Sequence, residues 1–239
     1  MLLKNLAENV AALVFPSECE SCHATLPPSP SSGVCARCES EIRWLEPPFC
    51  VSCGRPLRHA VEKCAACGSE SFHYDRAFAC AFYEGKMREL IHAYKFGGRK
   101  YLKNFFAGSL LGFIGRHLSE RPFDAVAAVP IDPEKKRSRG FNQAELLSAP
   151  IARALEIPDV SKKLTRKKSD SPQALLAKTD RKTNVKDHFA VKNTPYFKAK
   201  NVLLIDDILT TGHTASECAK ALKNAGAASV TVLACARGR

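Results

Sequence analysis

Residues 202–214 read Val-Leu-Leu-Ile-Asp-Asp-Ile-Leu-Thr-Thr-Gly-His-Thr, VLLIDDILTTGHT, and this stretch decides the fold. Four apolar residues have the texture of a buried strand, and they run directly into two carboxylates, Asp206 and Asp207. A short hydroxyl- and glycine-rich turn follows, then a helical pattern, TASECAKALKNAGA, which stops at Gly226. In α/β sheets, ligands bind beyond the carboxyl ends of the strands. A turn entering a helix offers free amides to an anion. Thr210, Thr211 and Thr214 add hydroxyl donors, and Gly212 lets the backbone come close to a ligand. The paired acids suit sugar hydroxyls or a hydrated Mg²⁺. Together these features describe a site for a phosphorylated sugar; the plain alternative is an acidic turn that solvates a strand end.

The flanking chain supports an α/β reading from about Asp75 onward. DRAFACAFYEG reads as a strand, and KMRELIHAYKF and RKYLKNFFAGSLLGFIGRHL as helices with apolar residues three and four apart. FDAVAAVP is a short buried strand, FNQAELLSAPIARAL an amphipathic helix, and SVTVLACA a last strand. Strands alternating with helices predict a mostly parallel sheet. Tyr94, Phe96, Tyr101, Phe105 and Phe106 recur at helical spacing, which suits core packing better than a base-stacking platform.

Upstream, eight of the eleven cysteines form four Cys-x-x-Cys pairs: Cys19/Cys22, Cys35/Cys38, Cys50/Cys53 and Cys64/Cys67. Such a turn brings two sulfurs to one tetrahedral ion, and a second pair 10 to 20 residues on completes a zinc ribbon site. The first two pairs would make one site and the last two another, although interleaved pairing satisfies the same chemistry. A disulfide framework needs an oxidising compartment, and a redox motif needs one pair, not four. The expected metal is therefore zinc, in two structural sites. The region is rich in proline and poor in apolar runs, so metal should supply much of its folding free energy. Cys80, Cys218 and Cys235 stand alone in apolar surroundings and read as small buried hydrophobes.

A formal charge of +12, or about +8 once two Zn²⁺ and eight thiolates are counted, favours anionic partners. No run of about 18 apolar residues exists, so no membrane span is expected. Residues 1–15 have an amphipathic helical rhythm, and Lys4, Glu8 and Asn9 interrupt any signal-peptide stretch. A cytoplasmic location is expected.

The 202–214 segment resembles the phosphoribosyl-pyrophosphate (PRPP) motif of type I phosphoribosyltransferases. The cysteine pairs, YEGKMRELIHAYKFGGRKYL, VPIDPEKKRSRGFNQA, SPQALLAKTDRKTNVKDHFAV and that motif, in this order, are similar to the ComF family. The resemblance implies a type I phosphoribosyltransferase-like parallel sheet flanked by helices, with a small hood and an N-terminal double zinc ribbon. The domains would be a helix over 1–15, the ribbons over 16–74 and the transferase-like unit over 75–239.

By the same resemblance Asp206 and Asp207 would contact the ribose hydroxyls of PRPP. Thr210, Thr211, Gly212 and Thr214 would hold the 5-phosphate, with the amide of His213, whose side chain is expected to be a solvent-exposed bystander. The loop carrying Asp132, Lys135, Lys136, Arg137 and Arg139 would lie at pyrophosphate. Mg²⁺ would accompany PRPP. Residues from Ser161 to Lys186, with a net charge of +7, correspond to the mobile loop that closes over pyrophosphate. That charge also suits single-stranded DNA. Partners would thus be PRPP or a related phosphosugar, single-stranded DNA and competence-machinery proteins. Thr210 stands where purine-salvage relatives commonly carry an acid, which disfavours base salvage and leaves the acceptor unidentified. Two functions follow: a competence protein that handles incoming DNA, or a transferase displacing pyrophosphate from PRPP.

Overall fold

The computed structural model describes residues 18–27, 32–59, 63–68, 71–120, 122–166 and 188–238. The expected helix over 1–15 and residues 167–186 of the basic segment lie outside these. The main sheet has four strands, β1 (Arg76–Phe82), β2 (Ala125–Ala128), β5 (Asn201–Leu209) and β6 (Ser229–Arg237). Their order is β1-β6-β5-β2, and every neighbour is parallel, as the alternating pattern predicts. A two-stranded antiparallel pair, β3 (Leu164–Arg166) with β4 (Phe189–Val191), stands apart. Sequence reading had no strand here: the segment expected to be loop from Ser161 begins instead with a 3₁₀ turn and β3.

Alternation along β5 divides the core into two layers. Leu203 and Ile205 face α2 (Gly85–Phe96), α3 (Lys103–His117) and α5 (Gln143–Ala154), meeting Tyr94, Phe106 and Ile151. Val202 and Leu204 face α6 (His213–Asn224), meeting Cys218 and Leu222. A strand covered on both sides must be apolar throughout, which is why 202–205 carry no alternation in polarity. Tyr94, Phe105 and Phe106 are core residues, whereas Phe96 is 65% exposed and Tyr101 is also exposed. Cys80, Cys218 and Cys235 are buried in these layers.

The cysteine-rich region closes the open edge of the sheet. Trp44 bridges Ala81 antiparallel to β1, the amide of Leu45 donates to the Cys80 carbonyl at 2.8 Å, and Phe82 donates to Arg43 at 3.0 Å. Ala77 donates to the Val51 carbonyl at 3.0 Å. An uncovered strand edge invites intermolecular pairing, and these contacts occupy it. Around the short helix α1 (Ala36–Ser40), Cys19, Leu26, Val34 and Ile42 pack in the same cluster as α2 and α3. The apolar surface that this region lacks is supplied by the sheet.

Candidate functional site

The site forms where β2 ends and its neighbours continue. β2 pairs with β5 only as far as Ile205, while β6 accompanies β5 through Leu209. Asp206 and Asp207 therefore lie inside β5, a few residues before its end at Leu209, yet beyond the end of the shorter neighbour. Successive strand residues face opposite ways. Asp207 turns toward α2, where Lys95 Nζ lies 2.9 Å from its Oδ1 and both side chains are mostly buried. Oδ1 of Asp206 accepts from the Asp207 amide at 2.8 Å. Burial, and after it the charge of Asp207, pushes the Asp206 carboxyl above the ordinary carboxylate range.

Beyond β5 the chain turns through Thr210, Thr211 and Gly212 into α6. Gly212 is the N-cap residue at φ +81°, a left-handed conformation that a side chain resists. A Cβ there would come within 2.6 Å of Tyr74 Oη. The first-turn amides of α6, from His213, Thr214 and Ala215, lack intrahelical acceptors by helix geometry. The turn residues Thr210, Thr211 and Gly212, with Thr214, Tyr83, Lys95, Lys135, Asp206 and Asp207, line a cleft of about 360 Å³. Such a cleft can hold a phosphate at the helix start, hydroxyls at the carboxylates and further negative charge at the two lysines. His213 does not line the cleft; the residue is partly rather than fully exposed, and its ring lies 6.2 Å from that of Phe72.

The four basic residues expected at pyrophosphate are carried on a short helix, α4 (Pro133–Arg139), where the sequence suggests a loop. Asp132 caps it by accepting from Glu134 at 2.9 Å, Pro133 opens it, and Gly140 ends it at φ +79°. Only Lys135 lines the cleft. Arg139 lies over the Phe96 ring at 4.7 Å and lines an adjoining cavity of about 470 Å³ with Lys95, Lys135 and Phe141. Lys136 pairs with Glu145 at 3.1 Å and Arg137 with Glu134 at 3.9 Å, so neither lines these cavities. Lys95 and Tyr83 were not foreseen. Helical spacing marks apolar faces, and a single lysine in AYKFGG gives no sign that it meets Asp207.

The eight cysteines gather in sequential quartets: Cys19, Cys22, Cys35 and Cys38, and Cys50, Cys53, Cys64 and Cys67. In each the sulfurs lie within 4.8 Å of one another. Cys22 and Cys35 Sγ are 3.6 Å apart and Cys53 and Cys64 Sγ 3.8 Å, far too long for disulfides. A tetrahedron with Zn–S near 2.3 Å has edges of about 3.8 Å, so the quartets fit zinc. Amides also prepare thiolates. Desolvation raises the Cys19 thiol, but the amides of Cys35, Cys22 and Ser21 outweigh it and bring the thiol to about 6. The amides of Cys64, Cys53 and Ser52 bring Cys50 to about 7 in the same way.

Residues 10–70 match the double zinc ribbon domain family, and residues 142–239 the phosphoribosyl transferase domain family. Competence protein F of Haemophilus influenzae is 30% identical over 213 residues, covering 86% of this chain and 91% of the relative. The DNA utilization protein YhgH of Escherichia coli K12 is 30% identical over 203 residues, covering 84% of this chain and 88% of the relative. Among solved structures, adenine phosphoribosyltransferase from Thermoanaerobacter pseudethanolicus aligns at TM-score 0.37 and 18% identity, over 59% of this chain and 82% of that one. Among the described residues no helix is long and apolar enough to cross a membrane.

Proposed function

The chain belongs to the ComF family of competence protein F, and from that membership we propose that it binds PRPP in the β5–α6 cleft and serves in the cytoplasmic handling of incoming single-stranded DNA. The observation that carries this reading is the cleft itself. Two carboxylates, a left-handed glycine cap and the free end of a twelve-residue helix converge where the sheet's carboxyl edge is stepped.

In this reading the amides of His213 and Thr214 and the hydroxyls of Thr210, Thr211 and Thr214 hold the 5-phosphate. Asp206 and Asp207 take the ribose hydroxyls, and Lys95 and Lys135 meet the pyrophosphate. Lys136 and Arg137 would have to exchange their present partners to join them. Mg²⁺ bound with PRPP would neutralise the pyrophosphate charge and, in a reaction, its departure. The zinc ribbons, over 16–74, brace the unit over 75–239. The basic segment through Lys186 offers phosphate-neutralising charge to a DNA strand. The names of the relatives, competence and DNA utilization, support a DNA-linked role.

A second reading, an active transferase, is favoured by the adjoining cavity. It shares Lys95 and Lys135 with the cleft, so an acceptor there would lie beside the sugar. Thermal melts with PRPP and Mg²⁺, run beside pyrophosphate release with and without single-stranded DNA, test both. Stabilisation of about 2.7 kcal/mol is expected at a hundredfold excess over Kd. No stabilisation would sink the binding reading; stabilisation without release would leave only the effector role.

A further inference from the structure

Phe96 and Tyr101 are the large apolar side chains left exposed among the described residues. The Tyr101 hydroxyl donates to Glu20, which ties that side chain to the loop of the first cysteine quartet. Phe96 is different. Helical spacing buries Tyr94, Phe105 and Phe106, whereas Phe96, the last residue of α2, stands in solvent on the lining of the cavity of about 470 Å³ that adjoins the cleft. A lone exposed phenylalanine means little by itself. This one has a basic setting: Lys95, Lys135 and Arg139 line the cavity with Phe96 and Phe141, and the lining includes no carboxylate.

Two cations sit on the rings. The guanidinium carbon of Arg139 lies 4.7 Å from the Phe96 centroid, and Lys100 Nζ lies 5.0 Å from that of Phe141. Arg139 donates to a neutral partner, Gln143, at 3.2 Å, while Lys95 is paired with Asp207 at 2.9 Å. His92 lies 5.6 Å from Phe96 and 6.3 Å from Tyr83, so a row of rings runs from the cleft to the exposed phenylalanine. The cavity volume is that of a small-molecule pocket. A flat, anionic ligand matches these walls: a base stacks on a ring or a guanidinium plane, and its phosphate meets the ammonium groups. A base inside a duplex keeps its faces in the stack, so an unpaired one is required. Lys100, above Phe141, provides a further cation for the successive phosphates of a strand.

Granting the DNA-handling reading, on which this rests, we infer that the cavity between α2 and α4 is a single-strand subsite, in which one unpaired base of a DNA strand stacks on Phe96 and Arg139 while the adjacent phosphates meet Lys135 and Lys100. The strand then lies beside the sugar cleft, which shares Lys95 and Lys135 with the cavity. The basic segment through Lys186 supplies charge but no ring at this point.

The zinc-loaded full-length chain, wild type and Phe96→Ala, is titrated with a labelled oligothymidylate and with an abasic strand of the same length, which keeps the phosphates and lacks the bases. Wild type should prefer the oligothymidylate. Phe96→Ala should bind it about 5- to 150-fold more weakly, lose little toward the abasic strand and keep the wild-type salt dependence, since no cation is removed. Lys100→Gln should do the reverse, weakening both strands alike and lowering the salt slope by about one. Phe96 is exposed, so its variant should melt with wild type. A wild type that binds neither strand would refute the DNA-handling reading and the subsite with it. A wild type that binds both strands equally, or a preference that survives in Phe96→Ala, would overturn the subsite alone. Thymidine monophosphate displacing the strand at equal concentration would make the cavity a nucleotide pocket and overturn its assignment to a strand.

Discussion

Lys95 Nζ lies 2.9 Å from Oδ1 of Asp207, a mostly buried ion pair between the last turn of α2 and β5 at the mouth of the cleft. The lysine both orients the carboxylate and supplies a cation that Lys135 alone would otherwise provide. Replacing it removes a charged hydrogen bond, worth about 1.5–3 kcal/mol. Lys95→Met should therefore weaken PRPP roughly 10- to 100-fold, while ribose 5-phosphate, which lacks the pyrophosphate, should lose much less. Calorimetric comparison of the two ligands checks this; equal losses would place Lys95 away from pyrophosphate.

Asp206 gives the site a pH dependence. Burial, and after it the Asp207 charge, holds its proton above the usual pKa of 3.8. Accepting from sugar hydroxyls at both oxygens, or ligating Mg²⁺, takes the ionised form, so binding in that mode releases a proton and tightens as pH rises through the raised pKa. The sign is opposite for the ligand-free fold: a carboxyl raised on folding lowers stability as pH climbs above the unfolded value. Titrations in buffers of different ionisation enthalpy should show the released proton, and Asp206→Asn should abolish it. An unchanged proton count in the variant would assign the proton elsewhere.

Gly212 and Tyr74 should show strong coupling. Gly212→Ala meets a left-handed backbone cost of about 1–2 kcal/mol and the Tyr74 hydroxyl at 2.6 Å. Tyr74→Phe removes a buried hydroxyl that has no partner among the described residues, so alone it should be near neutral. In the double variant part of the alanine cost should disappear, leaving the backbone share. Urea melts of the four proteins measure it; strict additivity would mean that the hydroxyl does not crowd Gly212.

Zinc withdrawal should expose the sheet edge. The amides of Phe82 and Ala77 donate to Arg43 and Val51 in the cysteine-rich region, whereas Val202–Ile205 sit between β2 and β6. Hydrogen exchange after chelation should lose protection at Phe82 and Ala77 first and retain it at Val202–Ile205. Simultaneous loss at both would show that the ribbons hold the entire sheet.

The strands and helices were legible because burial on two faces leaves uninterrupted apolar runs such as Val202–Ile205, and helices leave three- and four-residue spacings. Four Cys-x-x-Cys turns announced the quartets, although only the fold could exclude interleaved pairing. Less legible were features made by meeting of distant segments. The Lys95 pair, the Trp44 bridge and the Tyr74 contact join residues whose local sequence gives no reason for them. Helix α4 was hidden because its residues bury nothing, so no apolar period marks it. Its cap, Asp132-Pro133, was the available signal.

The most direct measurement is calorimetric titration of the zinc-loaded chain with PRPP and Mg²⁺, repeated with Asp206→Asn/Asp207→Asn, whose fold is checked by its melting curve. One PRPP per chain in wild type, with affinity lost in a double variant that still melts cooperatively, is the predicted result. Undiminished binding in that variant, or no binding in wild type, would contradict the cleft at Asp206 and Asp207 as the PRPP site.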